Sequence, residues 1–233
     1  MSDTFLQTPL FGLVLTLSVG ALGWFLKRKI RSNLFNPMLF SMLSIIAFLW
    51  VLEIPYRYYS HGGDYIMQML GPITVVLAVP LYQHHEKLRR HAFAILFGIA
   101  LGALSALLSV YLLSFAAGLD MRLTASLLPR SVTTPIGIAA AEMIDGIVGL
   151  TVISIVITGT FGAIIAEWVF RWFHIDDPIA KGVALGTSAH AIGTGKAFEL
   201  GTLEGAMSGL SIAIAGVATL LWLLLFEWLG LIS

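Results

Sequence analysis

The chain has 233 residues, 58% of them hydrophobic and 11% charged, with a mean hydropathy of +0.92. A soluble domain carries about a quarter of its residues as charged side chains, so this composition lacks the polar coat that water requires and points to the bilayer as solvent. Thirteen basic residues balance thirteen acidic ones and cysteine is absent, which excludes recruitment of nucleic acid by long-range charge, disulfides and thiolate chemistry.

In chain order, the first residues lack the basic region of a signal peptide, so insertion as an uncleaved inner-membrane protein is expected. Uncharged stretches at 9–26, 34–52, 65–83, 92–119, 146–166 and 205–226 predict six transmembrane helices, each near the roughly 20 residues that cross the hydrocarbon layer. Two apolar but interrupted segments, 122–145 and 178–201, are expected to be broken or re-entrant. The fold class is therefore an all-α integral membrane protein, 1–233 forming one polytopic domain with four spans in 1–119 and the broken segments in 120–233. Lys27, Arg28, Lys29 and Arg31 follow the first span, and Lys87, Arg89 and Arg90 follow the third. Both clusters then lie on the cytoplasmic side and the N-terminus outside. His84, His85 and His91 are expected as solvated loop histidines. The pairs Gly98/Gly102 and Gly205/Gly209 predict close helix crossings.

Three places read as helix breaks. The first is Gly71-Pro72, a helix end or a proline kink. The second runs Arg130-Ser131-Val132-Thr133-Thr134-Pro135, with Thr134 expected as N-cap and Pro135 as the first helical residue of 135–143. The third, 186–196, places Gly186, Thr187, Ser188, His190, Gly193, Thr194 and Lys196 in an otherwise apolar stretch. The two later breaks share a faint pattern, Ser131…Ile136-Gly137…Glu142 against Ser188…Ile192-Gly193…Glu199. If both are re-entrant they enter from opposite faces, as in an inverted repeat with its site near the midplane.

This set predicts a path for a small anionic solute. Arg130 offers a planar fork for a carboxylate. Ser131, Thr133, Thr134 and Pro135 mark a helix N-terminus, where unpaired N–H groups and the dipole favour anions. Gly186, Thr187, Ser188, His190, Gly193 and Thr194 would face them. His190, Lys196 and Glu142 are candidates for ion or proton coupling. Two other readings stand beside this: a buried neutral His190 bonded to a carbonyl, and Lys196 paired with Glu199 or Glu142. No nucleophile elbow or metal-binding spacing is present, so neither catalysis, nor a metal, nor a cofactor is expected.

Ile54-Pro55-Tyr56, Gly71-Pro72 through Pro80-Leu81-Tyr82, 128–135 (LPRSVTTP) and 184–190 (ALGTSAH) with Gly193-Thr194 resemble the LrgB/CidB family along almost the whole chain. The resemblance implies a bacterial inner-membrane protein acting with a small holin-like partner of the LrgA/CidA type. Members are described as modulators of murein hydrolase activity and autolysis. Others carry pyruvate, and a plastid relative with the partner fused in front exchanges glycolate for glycerate. The absence of that fusion here implies a separate partner subunit. The expected function is a transporter or facilitator for small monocarboxylates of the pyruvate, glycolate and glycerate class. The alternative is a regulator of murein hydrolase export within a holin-like pore. Self-association into a homo-oligomer is compatible with either.

Overall fold

The computed structural model describes residues 3–30, 35–69, 72, 82 and 85–232, and among them every regular element is helical. Four helices are long and apolar enough to cross a membrane: Pro9–Ile30, Arg89–Ala116 within a longer helix, Val148–Trp172 and Thr202–Trp228. Pro37–Val51, in the expected second span, has only 15 residues. Most of the expected third span, 65–83, lies outside the described residues, as does Gly71 of the first predicted break. Its neighbour Pro72 is exposed. The chain divides into two compact units, Met1–Val76 and Leu77–Ser233.

In the first unit, α1 (Asp3–Leu6) precedes α2 (Pro9–Ile30), α3 (Pro37–Val51) and α4 (Tyr56–Gln68). Asn36 caps α3 by accepting from the N–H groups of Met38 and Leu39, with Pro37 in the first turn, where its missing donor costs nothing. Helix α4, which falls mostly between two expected spans, is amphipathic and crosses α2 at paired glycines. A Cβ on Gly12 would lie 3.0 Å from the Gly62 Cα. Only small residues permit so close a crossing.

The second unit contains α5 (His85–Ala116), α6 (Met121–Leu127), a 3-10 turn (Leu128–Ser131), α7 (Thr134–Met143), α8 (Val148–Trp172), α9 (Pro178–Leu200) and α10 (Thr202–Trp228). His91 and the basic residues Arg89 and Arg90 belong to the first turns of α5 and not to a loop. The unit has two ends. Arg90, His91, Asp177 and Leu203 line one cleft, and Arg122, Glu142, Asp145 and Glu227 line another. Helices α5, α8 and α10 each join the His91 end to the Glu227 end.

The segments between them do not. Helices α6 and α7 have seven and ten residues, about 10 and 15 Å of rise, well short of the roughly 30 Å hydrocarbon layer. Their outer termini, Arg122 and Asp145, lie together at the Glu227 end. The second interrupted segment, α9, breaks at His190, whose φ of 41° lies in the left-handed region. In a continuous helix, residues eight apart are about 12 Å apart, yet a Cβ on Gly193 would overlap the Leu185 carbonyl oxygen. The chain therefore reverses, and both ends of α9 return to the His91 end. The first segment is built alike: a Cβ on Gly137 would stand 3.5 Å from the Pro129 oxygen, again eight residues upstream.

Aspartate caps start both hairpins. Asp120 accepts from the Leu123 N–H at 2.7 Å and Asp177 from the Ala180 N–H at 2.8 Å. The surface is apolar, with Phe93, Phe115 and Trp228 about four-fifths exposed, while Thr151, Ser208, Ser211 and Thr219 are buried. A lipid-facing exterior has this polarity.

Candidate functional site

Helix α8 holds both breaks near its middle. The Ile155 side chain packs on Gly137 of α7, and the Ile155 carbonyl accepts a hydrogen bond from His190 Nε2 at 3.0 Å. That carbonyl can only accept, so Nε2 carries the proton. The ring is 4% exposed and lies in a notch left by Gly159, where a Cβ would stand 2.6 Å from Cε1. Of the two readings for His190, its bond to a carbonyl is present. The residue anchors the reversal of α9. His190→Ala and Gly159→Ala should each lower stability by roughly 2–4 kcal/mol, the range for emptying or overfilling a buried site with loss of one hydrogen bond. Because both act on one contact, the double variant should lose less than the two losses summed in thermal unfolding. Full additivity would show that ring and notch are unconnected.

Arg130 lies in the 3-10 turn, half-buried. Its Nη2 donates to Ser109 Oγ of α5 at 3.3 Å, and its buried Nε has no partner. Among the described residues no carboxylate pairs with it. Ser131 is buried beside it, and Val132 and Thr133 are extended. The N-cap of α7 is Thr133, not Thr134 as expected from the sequence. Thr134 is the first helical residue and Pro135 the second, and the Thr133 side chain makes no capping bond. Since proline is tolerated anywhere in the first turn, it locates a helix start only to within a residue.

On α9, Gly186 packs against the Ser208 carbonyl of α10. Thr187 is 7% exposed and its hydroxyl has no partner. Ser188 is exposed and donates to the Ala184 carbonyl at 2.7 Å. Thr194 donates to the His190 carbonyl at 3.0 Å and stands 2.7 Å from Ser208 Oγ. Gly193 closes the hairpin. Lys196 bonds Glu167 of α8 at 2.5 Å and Glu199 at 3.1 Å. Of its two expected partners, Glu199 is engaged, while Glu142 sits in the cleft at the opposite end of the unit with Arg122 and Glu227.

A cavity of about 1010 Å³ runs between α5 and the first arm of α9, reaching from His91 and Asp177 to Ser109 and Thr187. Arg130 stands one hydrogen bond behind its wall at Ser109. Sequence reasoning named neither Ser109, Ile155, Gly159 nor Ser208. Gly98, Gly102, Ser105 and Ser109 do recur at helical spacing along one face of α5, and that signal was readable. Among the described residues Gly98 meets no heavy atom within 4 Å and lines the cavity, whereas a Cβ on Gly102 would stand 3.0 Å from the Thr187 methyl.

The model of the LrgB-like family matches residues 16–228. The chain is 40% identical to the protein YwbG of Bacillus subtilis over 185 residues, 79% of this chain and 82% of that one. It is 33% identical to the antiholin-like protein LrgB of the same organism over 216 residues, 92% and 94% of the two chains. It is also 33% identical to the antiholin-like protein LrgB of Bacillus mycoides, over 94% and 96%. No solved structure matches. A match across nearly the whole length, together with the multi-pass helical architecture, makes this chain a member of the LrgB family of membrane proteins.

Proposed function

We propose that this chain is a non-catalytic transporter for small monocarboxylates of the pyruvate, glycolate and glycerate class, acting with a small LrgA/CidA-like membrane partner. One observation carries the reading. Arg130, read here as intramembrane, is a half-buried cation with no paired carboxylate among the described residues, an unpartnered Nε and a cavity one hydrogen bond away. Removing a cation from water costs several kcal/mol unless an anion and hydrogen bonds compensate. A carboxylate arriving from the cavity supplies both.

Segments 122–145 and 178–201 act in this reading as re-entrant hairpins related by an inverted repeat. Supporting it, Asp120 and Asp177, Ile136 and Ile192, Gly137 and Gly193, and Gly159 and Gly216 stand at offsets of 56 or 57 positions. The contacts cross over: Ile192 packs on Gly159 of α8, and Ile136 on Gly216 of α10. Such reciprocal packing suits a two-fold axis in the membrane plane with a site near the midplane. In this reading the basic residues Arg89 and Arg90 favour a cytoplasmic His91 end, and the N-terminus faces outward.

Purified protein in liposomes, with and without its partner, should exchange labelled pyruvate, glycolate, glycerate and lactate while retaining a trapped dye. The relatives named antiholin-like favour a second reading, a regulator of murein hydrolase export within a holin-like pore. Release of the dye without saturable exchange would establish that reading and remove the first.

A further inference from the structure

We propose that the groove between α5 and α9 is the aqueous route from the His91 end to Arg130, and that its inner end selects monoanions over dianions. This rests on the transport reading above. The groove is lined on α5 from His91 to Ser109, eighteen residues or about 27 Å of helix. Beyond Ser109 only seven residues of α5 remain, Val110 to Ala116. That last stretch is filled by a packed cluster that includes Val110, Leu128, Ile144 and Phe226. The route is thus open at one end and sealed at the other by the first hairpin, with Arg130 at the boundary.

The wall hydroxyls bear this out. Ser105, Ser109 and Ser188 each donate to a carbonyl of their own helix, three or four residues back. Thr187 alone among these hydroxyls is unpartnered, although more than nine-tenths buried. A buried hydroxyl without a partner forfeits a hydrogen bond that a ligand or water restores. Thr187 lines the inner end of the groove and Arg130, with its unpartnered Nε, stands one hydrogen bond behind Ser109 at the same end, while the stretch toward the mouth is floored by Gly98, Gly102, Ala106, Val183 and Ala184. One cation amid aliphatic carbon satisfies one negative charge. A second would be left unpaired at low dielectric.

The absence of cysteine makes the test clean, because Gly98→Cys introduces a single thiol at a position with free space around it. A charged, membrane-impermeant methanethiosulfonate should modify that thiol from the His91 face only. Pyruvate should slow the reaction, and succinate at equal concentration should not. Gly98→Phe should cut pyruvate exchange roughly tenfold or more by filling the route, while Gly149→Phe on the exposed side of α8, also free of neighbours, should not. Modification only by a lipid-soluble maleimide, or wild-type exchange in Gly98→Phe, would overturn the route. Equal protection by succinate would overturn the charge selection. An accessible thiol in a protein that exchanges no carboxylate leaves the aqueous groove standing and removes the transport reading alone.

Discussion

Arg130→Met is expected to abolish carboxylate exchange, by roughly a hundredfold or more, and at the same time to leave the protein as stable as before or more so. The two halves have one cause. A hydrogen bond to a charged group contributes roughly 1.5–3 kcal/mol, so removing a bidentate pair to a bound carboxylate costs at least about two factors of ten at 1.4 kcal/mol each. By itself the same guanidinium has, among the described residues, the 3.3 Å bond to Ser109 and a buried, unpartnered Nε. Its desolvation is therefore poorly offset, and methionine fills a similar volume without the penalty. Arg130→Lys keeps the charge and loses the fork, so exchange should fall to an intermediate level. Thermal unfolding in detergent and counterflow on the same preparations separate the outcomes. Exchange retained in Arg130→Met would dismiss the site. A large loss of stability would show that Arg130 serves the fold.

Both later breaks were legible as breaks, and neither was legible in its mechanism. Pro135 after a run of hydroxyls marked the start of α7, because proline needs no donor there. The second break was placed by its glycines, yet the backbone turns at His190, at a positive φ without the freedom that glycine would bring. Gly186 and Gly193 serve close approach instead, to Ser208 and Leu185. Sequence does not say which of those two uses a glycine has, since the difference lies in what packs against it. The same limit hid the groove: the small face of α5 was visible, but its partner was not, because α9 had first to fold back. The long helices were read to within several residues. Helix α4 was missed because its polar face, with Arg57, Ser60, His61 and Asp64, interrupts any apolar run.

Gly186→Ala should be strongly destabilising. A Cβ there would overlap the Ser208 carbonyl oxygen and lie 2.8 Å from the Ser211 Cβ and 2.9 Å from the Ser208 carbonyl carbon. Two of these are backbone atoms of a buried stretch of α10, so no rotamer change relieves the contact and the helices must separate. Separation also strains the 2.7 Å contact between Thr194 and Ser208 that holds the returning arm. Overpacking alone costs typically 1–3 kcal/mol, and loss of that hydrogen bond a further 0.5–1.5, so a total of roughly 2–4 kcal/mol is expected. Gly195→Ala, in the same helix but with nothing within 4 Å, should instead gain roughly 0.5–1 kcal/mol from helix propensity. Opposite signs for one substitution, nine residues apart, follow only if the first arm of α9 lies directly on α10. If both variants melt with the wild type, α9 does not rest on α10 at Gly186, and with that contact gone the arm of α9 that carries Thr187 loses its support as a wall of the groove.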